Sequence, residues 1–350
     1  MNKSQFQDIK NILKETIEEY SKIEEKSTNP GFVISRYKPD KKLYKKAVTQ
    51  LVKLDEITEI LNKLDADYKG YKNSRGLIGA TSSIAWDSNF DKTFEIISYR
   101  KENAWGSSRY IDANSVIDMD NGTIKTFDNY DYVNKHNRIM PNSPCPILFG
   151  IRGEDSKELI NALKYIKSEP INSWIIFETN QGTDDHLQKK KILDVKPFES
   201  VIVKGKVSTK PTTIRGGHVF FKLKNKTGSI DCAAYEPTKD FRNIIRELTI
   251  GDIVEVYGGV RQNPLTINIE RIRIYETEDV MEKFENPVCP KCGKHMKSKG
   301  KNQIYKCKNC GIKSDKPSMK VKKRSLKLDF YEVPVCARRH LSKPLKRMNK

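Results

Sequence analysis

Four of the seven cysteines stand in two Cys-x-x-Cys pairs, Cys289/Cys292 and Cys307/Cys310, with 14 residues between the pairs. Two knuckles that each present two thiolates supply the four soft ligands of one tetrahedral zinc ion. Gly293 and Gly311 follow the second cysteine of each pair, where a tight knuckle turn tolerates positive φ. A closed four-thiolate site leaves no open coordination position, so the zinc it predicts is structural. Duplication of the pair at ribbon spacing argues against a redox motif, and a cytoplasmic chain disfavours disulfides. Cys145, Cys232 and Cys336 are isolated, and burial as small hydrophobes is their expected role.

The second candidate is Thr179-Asn-Gln-Gly-Thr-Asp-Asp-His186, a polar run directly after the apolar stretch Trp174-Ile-Ile-Phe-Glu178. Polar groups at a strand's carboxyl end commonly line an active-site crevice. Asp184 and Asp185 have the hard oxygen ligands that magnesium takes, and His186 could contact phosphate or act as acid and base. An Asx-type turn capping the next element accounts for the same residues equally well. Arg152, in Phe149-Gly-Ile-Arg-Gly-Glu154, could neutralise a phosphate or pair with Glu154. Gly76-Leu-Ile-Gly79, behind Arg75, could turn backbone N–H groups toward a phosphate, although so short a pattern has many other uses. No Walker loop, kinase signature or Ser/His/Asp constellation accompanies them.

Charge points to a polyanionic partner. The chain carries +20, and residues 287–350 hold 20 Lys and Arg against Asp315, Asp329 and Glu332, a net of +17. Charge so concentrated is the footprint of phosphate contacts that release counterions. With 37% hydrophobic and 31% charged residues, the chain has enough apolar material for packed cores. No apolar run approaches the roughly 20 residues of a spanning helix. The opening MNKSQFQDIK has no apolar h-region. A cytoplasmic enzyme or binding protein, with no membrane partner, is therefore expected.

These candidates need elements to position them. A length of 350 residues predicts two to three domains. Phe6, Ile9, Leu13, Ile17, Tyr20 and Ile23 recur at helical spacing and predict one amphipathic helix over 3–26. A short strand at 31–35 and helices near 41–52 and 55–65 follow, then a glycine-bearing segment and a strand at 93–100. From Pro146 the pattern is strand, helix (156–166), strand, as in a ferredoxin-like α+β sheet. Residues 199–277 read as three strands, a helix, then two strands, the order of an OB-fold barrel. Such barrels stack unpaired bases on aromatics, and Phe220, Phe221, Tyr235 and Tyr257 are candidates. Adjacent Phe220 and Phe221 must face opposite sides, so at least one belongs to the core. Val335–Leu341 reads as short, basic and amphipathic.

Several strings are more specific: RGLIGATSSIAW (75–86), KTFDNYD (125–131), CPILFGIRGE (145–154), FETNQGTDDHL (177–187), GGHVFFKL (216–223), the paired cysteines and YEVPVCARRHLSKPLKR (331–347). Together they resemble the archaeal tRNA(Ile) 2-agmatinylcytidine synthetases, or agmatidine synthases, from about Thr28 to Arg347. The resemblance implies a ligase that cleaves ATP to AMP and pyrophosphate and attaches agmatine to the 2-oxo position of a wobble cytidine, switching the anticodon to reading AUA. It also implies a multidomain α+β chain: a kinase-like and ferredoxin-like catalytic half, an OB-fold barrel, and a zinc ribbon that with the barrel holds tRNA. The expected divisions are 1–140, kinase-like and shortened at its start; 141–197, ferredoxin-like; 198–280, OB-fold; 281–325, zinc ribbon; and 326–350, a basic tail.

Within that scheme Asp184, Asp185, His186 and Arg152 are the expected catalytic residues. Arg75, Gly76, Gly79, Asn180 and Gly182 are expected to contact ATP. Arg338, Arg339, Lys343, Lys346 and Arg347 are expected to contact the tRNA(Ile) anticodon region. ATP, Mg²⁺ and structural Zn²⁺ are the implied cofactors. Family members open with a strand and an Asp-rich GIDDTDS-type loop, whereas this sequence opens in the helix before Thr28. A fragment, or a loop-bearing polypeptide supplied separately, is the corresponding expectation. The rival class is a non-catalytic RNA- or DNA-binding protein built on the barrel and ribbon, or the tRNA-binding half of a split enzyme; the polar 179–186 run favours the enzyme, and the missing Asp-rich loop favours the rival.

Overall fold

Helix α1 (Lys3–Tyr20) stops short of the expected residue 26 because Lys22 turns left-handed at φ 45°. The computed structural model describes residues 3–298, 300 and 304–348, so Lys299, Lys301 and Lys350 of the basic segment lie outside the described residues. Strand β1 (Gly31–Ile34) pairs antiparallel with β2 (Asp67–Gly70). Helices α2 (Lys41–Thr49), α3 (Leu54–Lys63) and α4 (Gly76–Ile84) complete the unit. Its core is Leu43, Ile57, Leu61, Leu77 and Ala85. The glycine-bearing 75–83 segment is thus helix α4 itself, with Gly76 in its first turn rather than in a loop. Gly76 is required there, because a Cβ would lie 2.6 Å from both Asn29 O and Gly31 N.

A three-stranded antiparallel sheet follows, with β3 (Thr93–Arg100) between β4 (Ile147–Gly153) and β5 (Ile171–Thr179). Helices α5 (Ala113–Gly122) and α6 (Ser156–Tyr165) cover one face, burying Ile96, Val116, Met119, Phe149, Ile151 and Leu159. The sheet takes its central strand from 93–100, upstream of the expected division at 140/141. The order strand, helix, strand from residue 146 therefore supplies only the two outer strands.

Strands β6 (Ser200–Val207), β7 (Val219–Asn225), β8 (Gly228–Ala234), β9 (Ile253–Arg261) and β10 (Thr266–Glu276) close into a five-stranded barrel. Its seams are β6–β7, β7–β8, the parallel pair β8–β10, β10–β9 and β9–β6. Helix α7 (Phe241–Arg246) lies between β8 and β9, as an OB-fold requires. A bulge at Tyr257/Gly258 lets the sheet turn its corner, and Gly258 has no room for a Cβ, which would stand 1.9 Å from Asn268 O. Phe221 points inward and is 2% exposed, while Phe220 lies outside, edge-on to Tyr235 at 5.9 Å.

Strands β11 (Val280–Glu285) and β12 (Ser318–Lys322) form an antiparallel stalk. Between them lies a small sheet of Lys297–Ser298, Tyr305–Lys306 and Lys313–Ser314, the ribbon proper. The C-terminal segment is a structural part rather than a loose tail. Strand β13 (Phe330–Glu332) pairs with β10, and Leu326 and Val333 enter the barrel core. Val335–Ala337 makes one 3-10 turn where an amphipathic basic stretch was expected. The chain then crosses to the α+β unit. Among the described residues no helix is long and apolar enough to cross a membrane.

Candidate active site

Geometry at the ribbon follows from the knuckles. The Cys289, Cys292, Cys307 and Cys310 sulfurs all lie within 4.8 Å of one another, with Cys292 and Cys307 Sγ 3.5 Å apart. A tetrahedron with Zn–S bonds of about 2.3 Å needs sulfurs about 3.8 Å apart, so the set fits one zinc ion. Gly293 N donates to Cys289 O (2.9 Å) and Gly311 N to Cys307 O (3.0 Å), and both glycines turn at positive φ, 68° and 70°. The Cys310 N–H donates to Cys307 Sγ and draws its thiol toward the thiolate.

The 179–186 run leaves the end of β5 and turns twice through the left-handed region, at Gly182 (φ 65°) and Asp184 (φ 64°). Its side chains divide between two destinations. Asn180 Nδ2 donates to the Tyr44 hydroxyl (2.9 Å), which donates to Asp185 Oδ2 (2.6 Å); Gln181 Nε2 donates to Glu95 Oε2 (2.6 Å). Burial and the Asp185 carboxylate push the Tyr44 phenol up, so it stays a neutral donor. Arg152 Nε meets the other oxygen, Glu95 Oε1, at 3.2 Å.

Asp184 and His186 turn the opposite way, toward the barrel. The Asp184 carboxylate pairs with the Arg271 guanidinium and accepts from Lys343 N (2.7 Å). His186, 1% exposed, places Nε2 3.1 Å from Glu270 Oε2. An ionised carboxylate only accepts, so Nε2 carries the proton. Burial pushes the Glu270 carboxyl up, but the His186 hydrogen bond, the Arg339 charge and the Ser342 hydroxyl outweigh it and hold it at about 2. The expected catalytic residues are therefore not brought to one point. Arg152 backs Glu95 on the sheet, Asp185 faces a pocket lined by α2 lysines, and Asp184 and His186 join loop to barrel.

The open face of the sheet forms a cleft of about 440 Å³ with α4. Glu95, Phe177, Glu178, Asn180 and Gln181 line the sheet side; Tyr44, Ser83 and Trp86 line the other. The C-terminal end of α4 reaches it, while Arg75 and Gly76 lie at the other end of the helix, against 29–31. Gly79 is open to solvent and Arg75 is exposed. Asn180 reaches the cleft; Gly182 packs beneath Pro344 and Phe127.

Of the expected tRNA contacts, Lys346 is exposed and Arg339 half-exposed, the latter paired with Glu270 (2.7 Å). Arg338 is buried against Asp128 and Glu332, Lys343 pairs with Asp91 (2.8 Å), and Arg347 is buried between Asp91 and Glu154. Sequence reasoning missed Tyr44, Trp86, Glu95 and Phe177. The signal for Glu95 is available: in Thr93–Arg100 it alternates onto the same face as Ile97, which puts an acid on an apolar sheet face.

Comparison with known proteins decides the family. Residues 1–73 match the TiaS TCKD domain, 74–186 the TiaS FLD domain, 201–275 an OB-fold nucleic acid binding domain and 286–326 the TiaS C-terminal zinc ribbon domain. The isoleucine-tRNA 2-agmatinylcytidine synthetase TiaS of Methanocaldococcus jannaschii is 47% identical over 97% of this chain and 82% of its own length. The chain belongs to the TiaS family. The Archaeoglobus fulgidus TiaS is 41% identical, covering 97% of this chain and 81% of that protein. A solved complex of TiaS with its isoleucine tRNA and ATP superposes with a TM-score of 0.86 at 39% identity, covering 99% of this chain and 82% of the other. A complex of TiaS with the same tRNA, AMPCPP and agmatine gives 0.86 at 37% identity, covering 99% and 83%. The family is thus an RNA-modifying ligase family, and the rival reading of a non-catalytic binding protein is not favoured.

Proposed function

We propose that this chain ligates agmatine to the 2-oxo position of the wobble cytidine of an isoleucine tRNA, giving agmatidine, with AMP and pyrophosphate released. The observation that carries the reading is the cleft at the end of β5 in a chain 47% identical to a TiaS enzyme. Agmatine carries a guanidinium and an amine, and both ask for carboxylates and flat apolar faces. Glu95, paired with Arg152, and Glu178, paired with Lys92, are the cleft's carboxylates and keep a second lone pair on each oxygen for the ligand, while Trp86 and Phe177 supply the faces. Asn180 and Gln181, already oriented by Tyr44 and Glu95, supply hydrogen bonds.

A pyrimidine 2-oxo oxygen is a poor leaving group, so it must first be bonded to phosphorus; the amine nitrogen then adds to the ring carbon and loses its proton, and the oxygen departs with that phosphorus. Binding and orienting the amine is the contribution of the cleft. Mg²⁺ with the ATP phosphates would neutralise the charge that builds in phosphoryl transfer. Asp185, whose Oδ2 accepts from Tyr44 beside a neighbouring pocket lined by Lys41, Lys42 and Lys45, is the loop carboxylate left to serve that ion. Asp184 does not fit a metal, since its two oxygens serve Arg271 and Lys343. Arg152 orients Glu95, and Asp184 and His186 tether the loop. Phosphate contacts with tRNA fall to exposed lysines of the ribbon and stalk, including Lys294, Lys306, Lys308 and Lys322, with Lys346 and Arg339 beside them. The setting of such a reaction is the cytoplasm.

The test is ATP-dependent incorporation of labelled agmatine into a transcript of that isoleucine tRNA and into one with uridine at the wobble position. Label in the first and not in the second is expected. Label in both, or tRNA binding with no ATP-dependent incorporation, would contradict the reading.

A further inference from the structure

The C-terminal segment meets the 180–186 loop along its length. Gly182 N donates to His340 O (2.7 Å), Asp184 N to Leu341 O (2.8 Å), and Lys343 N to Asp184 Oδ1 (2.7 Å). Arg347 closes the contact. Its Nε donates to Glu154 Oε1 (3.1 Å), one terminal nitrogen to Gly182 O, and the other to Asp91 Oδ1 (2.8 Å) and Lys92 O (3.4 Å). Its guanidinium also lies 5.5 Å from the centre of the Phe127 ring. A guanidinium has five N–H donors, and these contacts engage four of them. The side chain is 6% exposed, so it offers a phosphate little.

The loop needs such holding. Gly182 and Asp184 both sit in the left-handed region, which few non-glycine residues adopt, so the loop's path depends on the contacts that hold it. Gln181 and Asn180, immediately before Gly182, are the loop residues that line the cleft. We propose that residues 340–347 form a strap which sets the loop's conformation, with Arg347 as a positioning residue for the amine rather than a contact for tRNA phosphate. This rests on the reading of the cleft as the agmatine site.

The experiment compares wild type, Arg347→Ala, Arg347→Lys, Gly182→Ala and Glu95→Gln by amide hydrogen exchange, agmatine kinetics and tRNA affinity against salt. In Arg347→Ala, protection at the Gly182 and Asp184 amides should be lost. The agmatine KM should rise about tenfold or more while kcat moves less, since displacement of a positioning loop loses orientation. tRNA affinity and its salt slope should stay at wild-type values. Arg347→Lys keeps the charge without the planar fork and should not rescue. Gly182→Ala reaches the same loop independently, because its Cβ would stand 3.3 Å from Pro344 Cδ at a φ of 65°; it should reproduce the KM effect. Retained protection, or a salt slope reduced by about one with agmatine KM unmoved, would overturn the proposal. If Glu95→Gln raises the KM and Arg347→Ala does not, the strap fails. If neither raises it while protection is lost, the cleft reading fails instead.

Discussion

Asp184→Asn should destabilise the protein by about 3–5 kcal/mol, the usual cost of leaving one member of a buried ion pair without its partner. The Arg271 guanidinium facing it is 5% exposed and lies 4.4 Å from the centre of the Tyr257 ring, donating also to Lys343 O (2.7 Å). Removing the carboxylate charge strands that guanidinium between barrel, loop and strap, where water cannot replace the lost partner. An amide oxygen keeps a hydrogen bond but not the charge. The melting temperature should therefore fall by several degrees. Asp185→Asn, which keeps an oxygen to accept from Tyr44, should unfold close to wild type. Thermal unfolding of the two variants side by side decides the matter. An Asp184→Asn protein that melts like wild type but transfers no agmatine would return that aspartate to the chemistry.

Zinc removal should produce the largest change in RNA binding. Structural zinc contributes about 10–16 kcal/mol to the folding of small ribbons. The ribbon's own core is small, with Cys289, Met296, Tyr305 and Cys307 buried beside the metal position. Without the ion, that cluster cannot hold the three short strands together. Strong chelation, or Cys292→Ser, should unfold the ribbon and leave the barrel intact, since the barrel has a separate and larger core. The ribbon lysines then lose their fixed array, so tRNA affinity should drop and its salt dependence should flatten. Metal analysis should return one zinc per chain. A zinc-free protein with full tRNA affinity and an unchanged salt slope would contradict this account.

What could be read from the chain before its structure follows a physical line. Local periodicity located the barrel strands, α2 and α3 to within a few residues, because alternation and helical spacing are properties of contiguous residues. The zinc set was legible for the same reason, since all its ligands sit in two short knuckles. Local signals failed where long-range contact decided. Gly76 reads as turn chemistry, yet it is a glycine because α4 begins against the 29–31 backbone. The central strand of the α+β sheet ends at Arg100, whereas its neighbours begin at Ile147 and Ile171, and strand order in space is not written in spacing. Charge was misleading in a related way. Arg338 and Arg347 belong to a strongly basic segment, but their partners, Asp128, Glu332, Asp91 and Glu154, are mostly far away in sequence. The loop's aspartates look alike in the sequence and do different work, because Asp184 meets Arg271 of the barrel and Asp185 meets Tyr44 of α2.

The central claim is a division of labour: the cleft takes the amine, and the barrel and ribbon take the tRNA. Glu95→Gln tests it most directly, because this change removes one charge from the cleft floor and touches neither barrel nor ribbon. Measured on one preparation, agmatine binding in the presence of the isoleucine tRNA and ATP should weaken by about 10- to 100-fold, the worth of a charge-assisted hydrogen bond. tRNA affinity and its salt slope should remain those of the wild type. Unchanged agmatine affinity in a folded Glu95→Gln protein, or a parallel loss of tRNA affinity, would contradict the account.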